Sequence, residues 1–234
     1  MSIKGILFDK DGTLIDINGT WVPVYKYLLE KDFGLSPEDA EAMMERAGYD
    51  PARQAFKAGS MLASGTTAQL VDFWWPSLSP AKRIQRIRSL DHDYREIAGQ
   101  SLQVLLPLEP VLDELSALGF ALGVATNDSR ASAESHIEQL GIAHKFETII
   151  GWDSVPSPKP SGDMIRAFAE VTALRPIEIA MVGDNAHDIE EGRRGGAGLC
   201  IGVLTGNSAH EDLAHLADHT LESVADLPAL MRRL

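Results

Sequence analysis

Hydrophobic positions change period along this chain, and the changes divide it. Ile3–Phe8 (IKGILF) is a short apolar run that stops at the acidic, turn-forming segment Asp9-Lys-Asp-Gly-Thr13. That is the pattern of a buried strand feeding a loop. From Trp21 the period becomes helical: Trp21, Val24, Tyr25, Leu28 and Leu29 fall on one stripe. Thr20 is the expected N-cap and Pro23 falls in the expected first turn. Ser36-Pro37-Glu38-Asp39 and Ser79-Pro80 open further helices, and no segment between about 17 and 100 reads as a strand.

Beyond that block the pattern alternates. Phe120–Ala125, Thr148–Ile150, Ile177–Val182 and Gly198–Val203 read as strands, and helical stretches at 129–140, 161–172 and 186–194 separate them. A short edge strand is expected at 219–221 between two final helices. Repeated strand–helix units imply an α/β fold, a parallel sheet with helices on both faces. The expectation is a core of residues 1–16 and 104–234 and an all-helical cap of residues 17–103, inserted after the first strand.

Composition narrows the function classes. At 44% hydrophobic and 24% charged, the 234 residues fit a globular protein with a sizeable core. No apolar run approaches a membrane span, and the first residues lack a secretory pattern. The single cysteine, Cys200, fits a reducing cytoplasm. The net charge of −13 speaks against nucleic-acid and anionic-membrane partners. At face value it also speaks against an anionic small molecule.

The placement of polar loops reverses that last reading. Ligands of open parallel sheets bind beyond the carboxyl ends of the strands. Asp9 and Asp11 follow the first strand, Thr126-Asn127-Asp128 the second, Ser157-Pro-Lys159-Pro the third, and Gly183-Asp184 the fourth, with Asp188 four residues on. Carboxylates converging on one cleft repel unless a hard cation such as Mg²⁺ lies between them. A carboxylate can attack phosphorus, and a second one two residues away can serve as acid and base. A threonine hydroxyl and a lysine ammonium can hold phosphoryl oxygens. Each task of phosphoester hydrolysis therefore has a candidate. Trp74-Trp75 reads as cap core, Lys82, Arg83, Arg86 and Arg88 as a solvated helix face, and Cys200 as core. Arg53 and Lys57, at helical spacing, are candidates to reach a substrate anion when the cap closes.

Four segments carry a resemblance. Asp9-Lys-Asp-Gly-Thr-Leu14, Val124-Ala-Thr-Asn127, Lys159-Pro160 and Val182-Gly-Asp-Asn-Ala-His-Asp188 resemble, in order, the four motifs of the haloacid dehalogenase superfamily. Gly202–Gly206 and Val224–Pro228 look like tail segments of its phosphoglycolate-phosphatase-like branch. The resemblance implies a Rossmann-like core, with Asp9 as nucleophile and metal ligand. It implies Asp11 as general acid/base and, through its backbone carbonyl, metal ligand. It implies Thr126, Asn127 and Lys159 as the phosphoryl-binding set, and Asp184 and Asp188 as the remaining metal residues. The second Asp of the first motif, present as Asp11, favours phosphate over halide chemistry. The implied protein is a cytoplasmic Mg²⁺-dependent phosphatase acting on a small, phosphoglycolate-like phosphomonoester, as monomer or homodimer. A sugar phosphomutase resembling β-phosphoglucomutase is the alternative within enzymes. A phospho-aspartate signalling or binding module is the alternative from another class.

Overall fold

A computed structural model describes residues 2–234. β1 (Gly5–Phe8) leads through the acidic loop into α1 (Ile17–Phe33). α2 (Pro37–Arg46), the hairpin strands β2 (Tyr49–Asp50) and β3 (Ala55–Phe56), α3 (Met61–Ser64), α4 (Thr67–Trp74) and α5 (Pro80–Asp93) follow, with a π-helical turn at Tyr94–Ala98. The remainder runs α6 (Leu108–Ala117), β4 (Ala121–Ala125), α7 (Arg130–Gln139), β5 (Thr148–Ile150), α8 (Asp163–Thr172), β6 (Ile179–Gly183) and α9 (Ala186–Gly195). It ends with β7 (Leu199–Val203), α10 (His210–Leu213), β8 (His219–Leu221) and α11 (Leu227–Met231).

Six strands form one parallel sheet in the order β5-β4-β1-β6-β7-β8. β1 is central: Gly5–Phe8 register with Ala121–Val124 on one side and Ile179–Val182 on the other. Strand side chains alternate between faces. Ile6 and Phe8 pack with Leu122, Val182, Leu112 of α6 and Ile137 of α7, whereas Leu7 packs with Met181 and with Ile165 and Phe168 of α8. Both faces of the sheet are thus covered. The chain leaves β1 toward β4 in one direction and β6 in the other, so a crevice opens beyond the carboxyl ends of these three strands.

A separate apolar cluster lies in the insert. Trp21, Tyr25, Leu28, Met44, Phe56, Leu70, Trp74, Leu90 and Tyr94 are all buried in it. Trp74 is core, as expected. Trp75 stacks on Phe33 at 4.8 Å and lies 4.2 Å below the Arg86 guanidinium, which also pairs with Asp32. Arg86 is therefore packed rather than freely solvated. Cys200 is buried in β7.

Three local expectations are corrected. The insert is not all-helical, because Tyr49–Asp50 and Ala55–Phe56 form an antiparallel pair. Strands of two residues are too short to show a period. α1 begins four residues before the expected start, capped by Asp16, whose Oδ1 accepts from the Asn18 and Gly19 amides at 3.0 Å. Thr20 lies inside the helix, where its hydroxyl accepts from the Gln103 amide. Pro23 is then internal and leaves the Gly19 carbonyl without its helical donor. The Gln103 side chain donates to that carbonyl at 3.4 Å.

Candidate active site

The site is assembled at the carboxyl edge of the sheet. The Asp9 amide donates to the Val182 carbonyl at 2.8 Å, which extends the ladder one residue past β1 and fixes where its side chain starts. The Thr126 amide does the same with Ile150. Lys159 Nζ, fully buried, donates to Asp9 Oδ1 at 2.6 Å and Asp188 Oδ1 at 2.7 Å. Asp188 sits in the first turn of α9, and its other oxygen accepts from the Asn185 amide at 3.0 Å. Buried Glu191, one turn further along α9, accepts from the amides of Gly162 (2.6 Å), Met164 (2.8 Å) and Ile165 (3.3 Å). It satisfies the open N-terminus of α8 and ties the loop bearing Lys159 to the helix bearing Asp188.

One carboxylate oxygen each from Asp9, Asp184 and Asp188 lie within 4.8 Å of one another, all buried. Two glycines make this possible. Gly12, at φ +93°, would place a Cβ 2.5 Å from the Asp184 Cγ, and a Cβ on Gly206 would overlap the same carboxylate. The Asn207 amide donates to Asp184 Oδ2 at 3.3 Å.

Three carboxylates and one ammonium leave an excess of negative charge. Burial, then the charges of Asp188 and Asp11, push the Asp9 pKa up to about 6, against the pull of Lys159. Burial, with Asp188 and Asp9 beside it, raises Asp184 well above the usual carboxylate range. Burial opposes the charge on Lys159, but Asp188 and Asp9 outweigh it and hold its pKa above the ordinary lysine value. A buried all-oxygen donor set short of positive charge fits a hard divalent cation.

Every site residue expected from the sequence lies at this edge, though not all in one cluster. The Asp11 carboxylate is not part of that three-acid cluster. It accepts from Trp21 Nε1 at 2.6 Å and pairs with Lys10 Nζ at 2.7 Å. Lys10 is the residue that sequence reasoning missed. It is completely buried, also pairs with Asp128 at 3.2 Å, approaches His136 Nδ1 at 3.4 Å, and lies 5.3 Å from the Trp21 ring. Burial and then Lys10 depress the His136 pKa to about 4, so its ring is neutral beside the ammonium. Asn127 has a second unforeseen part. Its side chain accepts from the Lys159 amide at 3.1 Å and donates to the Ser64 carbonyl of the insert at 2.8 Å. It thereby joins two loops of the sheet edge to the insert.

A cavity of about 50 Å³ lies over Asp9 and Asp11, with Thr126, Asn127 and His187 on the sheet side and Trp21, Tyr25 and Leu70 on the other. The haloacid dehalogenase-like hydrolase family model matches residues 6–202, most of the chain. This chain belongs to that family. The hydrolase is 30% identical, over 98% of its length and 97% of the relative's, to a phosphoglycolate phosphatase of Chromobacterium violaceum. It is 28% identical, over 96% and 94%, to the pyrophosphatase PpaX of Bacillus velezensis. Among solved structures, a haloacid dehalogenase-like family hydrolase of Streptococcus pneumoniae superposes with a TM-score of 0.70 at 22% identity, covering 97% of this chain and 98% of its own. A HAD phosphatase of Thermococcus onnurineus gives 0.67 at 20%, covering 98% of each. These likenesses establish the fold. Among the described residues, no helix of the hydrolase is long and apolar enough to cross a membrane.

Proposed function

We propose that this hydrolase is a Mg²⁺-dependent phosphatase that cleaves a small phosphomonoester through an aspartyl-phosphate on Asp9. One observation carries the reading: Asp9 faces the cavity while bound to Lys159 and grouped with Asp184 and Asp188. A carboxylate so placed can attack phosphorus while its charge is offset on the other side.

In the first step an Asp9 oxygen bonds to phosphorus, the ester P–O bond breaks, and the leaving alkoxide takes the proton of Asp11. In the second, a water bonds to phosphorus and returns a proton to Asp11. The bond to Asp9 breaks and inorganic phosphate leaves. The Thr126 hydroxyl, the Asn127 amide and the Lys159 ammonium hold the non-bridging oxygens where charge builds up. Asp9, Asp184, Asp188 and the Asp11 carbonyl would hold Mg²⁺, which supplies further neutralisation of the phosphoryl charge. Residues 17–103 act as a cap over a core of residues 1–16 and 104–234, excluding bulk water with Trp21, Tyr25 and Leu70. The single buried cysteine supports a cytoplasmic setting.

The test is phosphate release from p-nitrophenyl phosphate and a panel of metabolite phosphates, with Mg²⁺, with EDTA, and in Asp9→Asn. Mg²⁺-dependent release lost in Asp9→Asn is expected. Activity that survives both EDTA and Asp9→Asn would contradict the proposal.

A further inference from the structure

The leaving group of the substrate must lie on the insert side of the cavity, since Asp9, Thr126 and Asn127 occupy the phosphoryl side. That wall consists of Ile17, Trp21, Tyr25, Leu62, Leu70 and Tyr94, together with Ala63–Gly65 and Thr67. It contains no lysine or arginine. The cavity's one histidine, His187, is on the sheet side with its Nε2 3.4 Å from Asp188. Nearby cations are committed elsewhere: Lys159 to Asp9 and Asp188, Lys10 to Asp11 and Asp128. Arg53 and Lys57, candidates by spacing to reach a substrate anion, are exposed and do not line the cavity.

A second anionic group on the substrate would therefore meet apolar walls and the carboxylates of Asp11 and Asp128. Burying an unpaired carboxylate in such a place is strongly unfavourable. A small neutral group meets a better match. The side chains that wall presents are chiefly aliphatic and aromatic carbon. The cavity is small, about 50 Å³.

Building on the phosphatase reading, we propose that this enzyme selects monophosphate esters whose leaving group is a small, uncharged alcohol, and rejects those carrying a carboxylate or second phosphate. Phosphoglycolate and pyrophosphate are then poor substrates, even though enzymes named for them are its relatives.

The test compares kcat/KM for 2-phosphoglycolate, its uncharged isostere phosphoglycolamide, pyrophosphate, 2-hydroxyethyl phosphate and ethyl phosphate. Acetyl phosphate serves as a small activated control. Phosphoglycolamide should exceed phosphoglycolate by about 100-fold or more. Ala63→Lys, which adds a cation to the wall, should shift that ratio toward phosphoglycolate by at least about tenfold. Turnover of acetyl phosphate with phosphoglycolate or pyrophosphate preferred would overturn the selectivity and leave the phosphatase reading standing. Absence of Mg²⁺-dependent turnover on every ester, acetyl phosphate included, would overturn both.

Discussion

Replacing Lys10 by methionine isolates the contribution of a charge that no water reaches. The ammonium is 0% exposed and joins Asp11 at 2.7 Å to Asp128 at 3.2 Å. Methionine fills nearly the same volume, so the main loss is electrostatic. Asp128, whose side chain is 4% exposed, keeps Ser132 Oγ at 2.8 Å and the Ser129 amide at 2.7 Å. Asp11 keeps the Trp21 indole and partial contact with solvent. Breaking one side of a buried pair costs about 3–5 kcal/mol. The surviving hydrogen bonds place this case at the low end, about 3 kcal/mol. For a chain of this size, about 2–4 °C per kcal/mol gives a Tm lower by about 6–12 °C. Thermal melting followed by circular dichroism measures it. Adding Asp128→Asn to Lys10→Met should recover about 1 kcal/mol or more, because the stranded charge is gone. A single-variant loss below about 1 kcal/mol, or strict additivity in the pair, would refute the claim that Lys10 neutralises the carboxylates of Asp11 and Asp128.

Other consequences follow from the same geometry. Gly206→Ala should fold normally yet lose about 100-fold in kcat/KM, since the new methyl must push the Asp184 carboxylate by roughly 1 Å; activity within about threefold of the parent would contradict that crowding. Metal affinity should fall with pH. The Asp9 pKa is raised to about 6 in the metal-free protein, so below that value a proton occupies a ligand oxygen and Mg²⁺ must displace it. Titration calorimetry should show an apparent affinity falling by at least about tenfold per pH unit well below 6, and a flat profile from pH 5 to 7.5 would remove Asp9 from the ligand set. Asp11→Asn should slow alkyl phosphates far more than p-nitrophenyl phosphate, whose leaving group needs little protonation; equal losses would argue against an acid role for Asp11.

The legible parts of the chain were those with a local signature. The strands of the sheet alternate with amphipathic helices, and each polar segment following a strand is marked by sequence alone. Those segments by themselves put Asp9, Thr126, Lys159 and Asp184 at one edge. What stayed hidden depends on contacts between distant segments. Hydropathy assigns a lysine to the surface, yet Lys10 is buried because Asp11, Asp128 and Trp21 enclose it. The one available hint was its position, a charged residue between two acids at the end of a buried strand. Thr20 had the right chemistry for an N-cap, but Asp16 has it too, and only the Gln103 contacts explain why the helix tolerates Pro23 inside it. The two-residue strands of the insert hairpin carry no periodicity. The neutral wall of the cavity combines Trp21, Leu62, Leu70 and Tyr94 from four separate segments, and nothing in their local sequence says that they meet.

The central claim is that Asp9 becomes covalently phosphorylated. Rapid mixing of enzyme, Mg²⁺ and excess acetyl phosphate, followed by acid quenching and peptide mass spectrometry, tests it directly. One phosphoryl group is expected on the peptide containing Asp9, base-labile and absent from Asp9→Asn. Phosphate released at the parent rate with that peptide never modified, or modification that persists in Asp9→Asn, would contradict it.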